Sequence, residues 1–271
     1  MNVSGYVLII GGGNGIGKAT ALGFAREGAI GIMIADIDQQ AAGNTALECK
    51  AVGVAPSFRS ESLYIDITNE ATVDQAMKQT MKSFGRLDHC VITAGIALSG
   101  ATEIADMDVA EFRRVVDVNL TGSFIATRAV SAIMRQAARS ETNEAHNISP
   151  QGTIVLMGSG QSLVPFRGMT HYVAAKHAVV GLAKNAAVDN MQHGIRVNCV
   201  CPSWVNTPMV AQLTANTAGL EETIRRAVPM GRMANLEEVV DAIIFLSSPR
   251  SSYVTGTTLV IDSGTMLQLR V

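Results

Sequence analysis

The sequence predicts a single α/β domain, a doubly wound parallel sheet of about seven strands with helices on both faces in a three-layer α/β/α arrangement. Three observations lead there. Short β-branched apolar runs alternate with longer helical patterns along the whole chain. Several of those runs are apolar without alternation, as strands buried on both faces are. No Pro/Ser-rich linker or shift of composition divides the 271 residues, a length that can bury one substantial core.

Taken in order, the strand candidates are 6–10 ("YVLII"), 30–35 ("IGIMIA"), 62–66 ("SLYID"), 88–92 ("DHCVI"), 153–157 ("TIVLM"), 195–200 ("IRVNCV") and 257–262 ("TTLVID"). Helical patterns lie between them, near 15–28, 38–51, 69–84, 108–138, 171–192 and 236–247. Two segments break the alternation. Residues 135–152 are polar and hold a Pro and a Gly, which suits a surface excursion before the fifth strand. Residues 206–235 follow the sixth strand and exceed the usual α/β connection of about 2–6 residues. A long excursion after a parallel strand lies at the sheet's carboxyl edge, where ligands bind, so this one is a candidate substrate lid.

Composition narrows the partners. Hydrophobic residues make up 48% of the chain, charged ones 16%, and the net charge is −2, a balance that favours neither disorder nor electrostatic capture of nucleic acid. A small-molecule partner is expected. Cys49, Cys90, Cys199 and Cys201 lack C-x-x-C spacing and read as buried, reduced thiols. His89, His146, His177 and His193 have no carboxylate or Cys companions at ligand spacing, so no metal site is expected. His171, next to Tyr172, points elsewhere on helical geometry. The N-terminus has no basic n-region, "YVLII" is too short for a signal core, and no apolar run reaches the ~18 residues of a membrane span. A soluble, cytoplasmic chain without membrane contact is the expectation.

The chemistry starts at "YVLIIGGGNGIGKAT". Gly11, Gly13, Gly15 and Gly17 stand where the first strand turns into the first helix, so the backbone can fold tightly and approach a pyrophosphate at the helix N-terminus. The spacing is G-x-x-x-G-x-G, and no G-x-G-x-x-G register fits. Asp36 ends the second strand, nineteen residues past Gly17. Its carboxylate is placed to accept hydrogen bonds from an adenosine ribose and to repel a 2′-phosphate, and Ile37, where an Arg or Lys would suit a phosphate, favours NAD over NADP.

Further along, Tyr172 and Lys176 stand four apart in "HYVAAKHAVVGL", which on a helix puts them on one face. A free tyrosine ionises near pH ~10, and a neighbouring ammonium stabilises its phenolate. Ser159, thirteen residues upstream and directly after the fifth strand, brings a hydroxyl to the same carboxyl edge, able to hydrogen-bond a substrate oxygen. Asn119, in "DVNLTGSF", is a poor interior helix residue and suggests a kink with a polar partner or a bound water.

With these motifs in register the chain resembles the short-chain dehydrogenase/reductase family, in its single-domain classical branch, from "IIGGGNGIG" to "VTGTTLVIDSG". The resemblance implies a Rossmann-type fold and an oxidoreductase that moves hydride between a nicotinamide cofactor and a secondary alcohol or ketone. Asn119, Ser159, Tyr172 and Lys176 match its catalytic tetrad. In that scheme Tyr172 is the general acid/base, Lys176 assists it and holds the nicotinamide ribose, Ser159 orients the substrate oxygen, and Asn119 anchors a water that relays protons to Lys176.

The resemblance further implies cofactor contacts from Gly11, Gly13, Asn14, Gly15, Ile16 and Gly17 in the turn, and from Asp36 and Ile37 after the second strand. Asp66 and Ile67 would meet the adenine, and Ala94 and Gly95 would lie along the cofactor. The stretch "CPSWVNTP" supplies Pro202 and places Val205 and Thr207 against the carboxamide. Three departures stand out: Ile10 where the family has Thr, Thr93 where it has Asn, and Ser203 where it has Gly. The first two predict altered anchoring of the central loops, and Ser203 with Trp204 a reshaped nicotinamide and substrate end.

Family members are usually dimers or tetramers, so a homodimer or homotetramer is implied, through the helices near 108–138 and 171–192. Leu163, Val164 and Phe166 after the candidate serine, with Trp204, Met209, Val210 and Leu213 in the lid, suggest a small to medium hydrophobic substrate. Similarity to fungal members points to a secondary-metabolite intermediate. The alternative on the same fold is a non-redox isomerisation, dehydration or cyclisation with retained cofactor.

Overall fold

The first strand, β1 (Tyr6–Ile10), sends Val7 and Ile9 to one side of the sheet and Leu8 and Ile10 to the other, and all four are fully buried. Two-sided burial is what an apolar run without alternation requires. It recurs in β2 (Gly31–Asp36), β4 (His89–Ile92), β5 (Gly152–Met157) and β6 (Ile195–Pro202). The computed structural model describes residues 1, 3–97, 101–141 and 152–267. With β3 (Arg59–Tyr64) and β7 (Thr258–Ile261) these strands make one seven-stranded parallel sheet of order β3-β2-β1-β4-β5-β6-β7.

Helices close both faces. Residues of α1 (Gly15–Arg26), α2 (Gln39–Val52) and α9 (Leu236–Ser247) pack with Val7 and Ile9. Those of α3 (Glu70–Phe84), α5 (Ser123–Glu141) and α6 (Thr170–Met191) pack with Leu8 and Ile10. Strand order reverses between β1 and β4, and in open parallel sheets the crevice at such a switch point is where ligands bind. Among the described residues no helix is long and apolar enough to cross a membrane.

Four expectations change. The third strand begins at Arg59 rather than near 62, because "RSES" carries no apolar run to mark it. It ends before Asp66, whose Oδ1 accepts from Thr68 N–H and hydroxyl at 2.9 and 2.7 Å and turns the chain. The single helix expected over 108–138 is α4 (Val109–Val116), a π-helical turn (Asp117–Gly122) and α5. The excursion expected over 135–152 starts late, since α5 continues to Glu141, and its remainder, 142–151, lies outside the described residues. The candidate lid over 206–235 is built from two helices, α7 (Pro208–Asn216), capped by the Thr207 hydroxyl, and α8 (Leu220–Ala227).

One buried titratable group ties the sheet to the N-terminus. His89 of β4 is 8% exposed, its Nε2 lies 3.0 Å from Ser4 O and its Nδ1 2.8 Å from Thr153 Oγ1. The carbonyl can only accept, so Nε2 carries the proton and Nδ1 accepts from the threonine. Burial pushes this imidazole below its ordinary pKa. The unfolded chain therefore takes up a proton near pH ~6.5 that the folded chain refuses, and stability falls as pH drops through that value. In thermal melts from pH 8 to 5, His89→Gln is expected to be less stable than wild type at the alkaline end and to have the flatter acid limb. Parallel acid limbs would mean that another group carries the dependence.

Candidate active site

After β1 the chain must turn against β4 within a few residues, and glycine makes that possible. Gly11 has φ +86°, and a methyl there would lie 2.5 Å from Ala94 N. A methyl on Gly17 would lie 2.0 Å from Gly11 O and 2.6 Å from Thr93 Oγ1. Thr93 anchors this crossing: its hydroxyl lies 3.0 Å from Ile10 O and 3.1 Å from Gly11 O, and donates to one of them. The Thr93 departure thus keeps the turn tied to the sheet by a different hydrogen bond.

The start of α1 is open to a ligand. Its N-cap residue Asn14 makes no side-chain cap and its first turn holds no acid, whereas Asp38, Asn69, Asp108 and Thr207 cap α2, α3, α4 and α7. Gly11, Asn14, Gly15, Ile16 and Gly17 line a cleft of about 620 Å³. Helix N–H groups left uncapped at the wall of a cleft suit an anionic group. That arrangement fits the pyrophosphate of a dinucleotide.

Of the other expected contacts, Asp36, Ile37, Asp66, Ile67, Ala94, Gly95 and Thr207 line the same cleft. Asp36 also braces the loop: Oδ2 accepts from Gly13 N at 2.8 Å and Oδ1 from Asp38 N at 2.9 Å. Gly13 itself lies behind that carboxylate, a methyl on it falling 2.9 Å from Asp36 Oδ2, so its part is to admit Asp36. Pro202 and Val205 do not line the cleft. Pro202 ends β6, and Val205 is 3% exposed and bridges to Ala234. Thr68, Arg114, Val118 and Pro208 do line it and were not anticipated. Arg114 and Val118 are four apart just before Asn119, a spacing that puts them on one helix face but does not by itself mark a cleft wall.

None of the four candidate catalytic residues lines the cleft, but two are hydrogen-bonded to residues that do, Lys176 to Met157 and Asn119 to Ile96. Lys176 is 4% exposed, and its Nζ donates to Met157 O at 2.8 Å and stands 5.6 Å from the centroid of the Tyr172 ring. The i, i+4 pairing expected on one helix face is therefore present. Ser159 caps a 3₁₀ turn (Gly160–Ser162), its Oγ accepting from Gln161 N at 3.2 Å. That leaves the hydroxyl proton free to donate.

Asn119 sits in the π-helical turn, fully buried, with Oδ1 accepting from Ile96 N at 2.7 Å and Nδ2 donating to Ile96 O at 2.8 Å. The kink is present and its polar partner is backbone. The side-chain amide holds the loop after β4 in place instead of standing free for a water. A methyl on Gly95 would lie 3.1 Å from Asn119 Oδ1 and 3.6 Å from Lys176 Nζ, which shows how closely that loop, the π turn and α6 converge.

Fold and cleft together define a dinucleotide-binding α/β protein with a polar group beside its cleft. A family model described as enoyl-(acyl carrier protein) reductase matches residues 11–266. The chain is 49% identical over 269 residues to the short-chain dehydrogenase fogB of Aspergillus ruber, covering 98% of each chain. It is 35% identical over 265 residues to the 2,5-dichloro-2,5-cyclohexadiene-1,4-diol dehydrogenase of Sphingobium indicum, covering 97% of this chain and 98% of that one. The crystal structure of levodione reductase is similar with a TM-score of 0.86 at 31% identity, over 97% of this chain and 98% of that one. The chain belongs to the short-chain dehydrogenase/reductase family. It is an oxidoreductase fold of the dehydrogenase type, and the family implies a nicotinamide cofactor.

Proposed function

We propose that the protein is an NAD-dependent dehydrogenase that interconverts a secondary alcohol and its ketone on a small to medium apolar substrate. The observation that carries this is that the Lys176 ammonium stands over the Tyr172 ring and binds the carbonyl of Met157, a cleft-lining residue two positions before Ser159. When bound, the nicotinamide supplies the acceptor or donor of hydride at the substrate carbon. The start of α1 would hold the pyrophosphate, Asp36 the adenosine ribose, and Lys176 the nicotinamide ribose.

The chain's own chemistry concerns the substrate oxygen. The Ser159 hydroxyl donates to it and fixes its position. Tyr172 takes the substrate proton as phenolate when the alcohol is oxidised and returns it as phenol when the ketone is reduced, and the nearby Lys176 ammonium favours the phenolate charge. Asn119 contributes by holding the Ile96 backbone, while its main-chain carbonyl accepts from the Ser123 hydroxyl at 2.8 Å. Leu163, Val164, Phe166 and Met209 are exposed, and Phe166 meets Trp204 edge to face at 6.4 Å; these side chains support an apolar substrate.

What supports NAD over NADP in this reading is a carboxylate at the cleft wall held by two backbone N–H groups, which would oppose a 2′-phosphate. Calorimetric titration is expected to give NAD(H) at least about tenfold tighter binding than NADP(H), a gap of about 1.4 kcal/mol, and Asp36→Asn to narrow it. Tighter NADP(H) would overturn the assignment of Asp36, and binding of neither would overturn the dehydrogenase reading itself.

A further inference from the structure

The residue after Ser159 has no side chain, and the space that one would occupy is filled from the other end of the chain. A methyl on Gly160 would lie 3.4 Å from Met266 Cε, 3.5 Å from Met266 Sδ and 3.6 Å from Ser203 Cα. Met266 belongs to a 3₁₀ turn (Thr265–Leu267) that follows β7. Gly160 is buried, whereas Ser159 and Met266 are each half-buried and keep open surface. The thioether therefore stands beside the serine turn, where a local side chain would otherwise be.

The chain reaches that place through a tightly held turn. Ser203 N donates to Ile261 O at 2.9 Å, which fixes the end of β7 against the segment leaving β6. Both oxygens of Asp262 are then engaged, Oδ1 accepting from Gly264 N and Oδ2 from Met266 N, each at 2.8 Å. Between these anchors Ser263 has φ +55°, and it is the one non-glycine residue with positive φ among the described residues. Such a conformation persists where the surrounding structure over-determines it, and here the carboxylate does so. On its other side the turn approaches the candidate lid: a methyl on Gly264 would lie 3.9 Å from Pro229 Cγ, two residues past α8. Met266 thus sits between the Ser159 turn and the end of the lid.

We propose that Met266 is a specificity-determining residue, its side chain forming the wall of the substrate site next to Ser159 and limiting the bulk of the group attached to the reacting carbon. A thioether is apolar and adaptable, in keeping with Phe166 and Trp204, which meet edge to face nearby in the chain's apolar set. It selects by volume rather than by hydrogen bonding. The inference rests on the role of Ser159 and on the apolar substrate stated above.

The test measures, by calorimetry on the NAD⁺-loaded protein, the affinities of cyclohexanone and 2-decalone, ketones of one ring and of two fused rings. Met266→Ala is expected to raise the preference for the two-ring ketone by about tenfold or more. Met266→Leu, close in volume, is expected to keep the wild-type preference, and Met266→Phe to lower it. Affinity for NAD⁺ is expected to stay at the wild-type value in all three, which separates a wall from a general disturbance of the fold. An unchanged preference in Met266→Ala, or a leucine variant that shifts as far as alanine, overturns the proposal. Should Met266→Ala fail to fold, Met266→Phe serves, and an unmoved preference there overturns it equally. A wild-type protein that binds neither ketone sinks the apolar-substrate reading and the wall with it, whereas one that binds both, beside a wild-type-like Met266→Ala, sinks only the wall.

Discussion

Tyr172→Phe is expected to lower kcat by about 10²–10⁴-fold, the usual contribution of a positioned general acid or base, while calorimetric affinity for NADH stays close to wild type. The substitution removes one oxygen and leaves the aromatic ring beside the Lys176 ammonium, 5.6 Å from its centroid. Lys176 keeps its bond to Met157 O, so the cleft at Met157 keeps its shape. The measurement is the rate on the best secondary alcohol found by screening, with the melting temperature recorded alongside. A Phe variant that retains more than about a tenth of the wild-type rate would remove Tyr172 from the chemistry.

Gly17→Ala is expected to destroy cofactor binding and to destabilise the fold. The added methyl meets the Gly11 carbonyl at 2.0 Å and the Thr93 hydroxyl at 2.6 Å, and neither can withdraw: one is backbone, and the other is hydrogen-bonded to that same turn. Overpacking of this kind costs about 1–3 kcal/mol or more, which for a chain of this size lowers the melting temperature by roughly 2–4 °C per kcal/mol. Gly15→Ala is the control. A methyl there finds its nearest neighbour, Thr207, at 3.9 Å and bears only the strain of φ +52°, about 1–2 kcal/mol. Melting curves and NADH titrations of the two variants should rank Gly17→Ala as the worse in both. Equal effects would contradict the close packing of α1 on the glycine turn.

The sequence was most legible where one local pattern carries one physical demand. Apolar runs without alternation marked β1, β2, β4, β5 and β6 within a residue or two because burial on both faces leaves no room for polar side chains. Asn119 signalled a departure from regular helix, and the π-helical turn is that departure. β3 was displaced because its opening residues are polar. Within the cleft, Thr68 and Arg114 escaped notice because nothing in their neighbourhood along the chain distinguishes them from other surface residues. Pro202 and Val205 were assigned to the cofactor by position in a motif, and neither lines the cleft.

By itself the sequence determined the class of fold, the tight turn after β1, the carboxylate at the end of β2 and the Tyr/Lys pair on one helix, since each depends on contacts within about a dozen residues or on the burial of one strand. Only the tertiary structure decided what those groups are engaged with. It gave both oxygens of Asp36 to backbone N–H groups, spent the Asn119 amide on Ile96, tied Lys176 to Met157, and set Cys199, Cys201 and Ser162 under the serine turn. The reason is physical: a hydrogen-bonding group has few partners to give, and which ones it meets across a parallel sheet depends on strand order and register, in which residues 25 to 82 positions apart become neighbours.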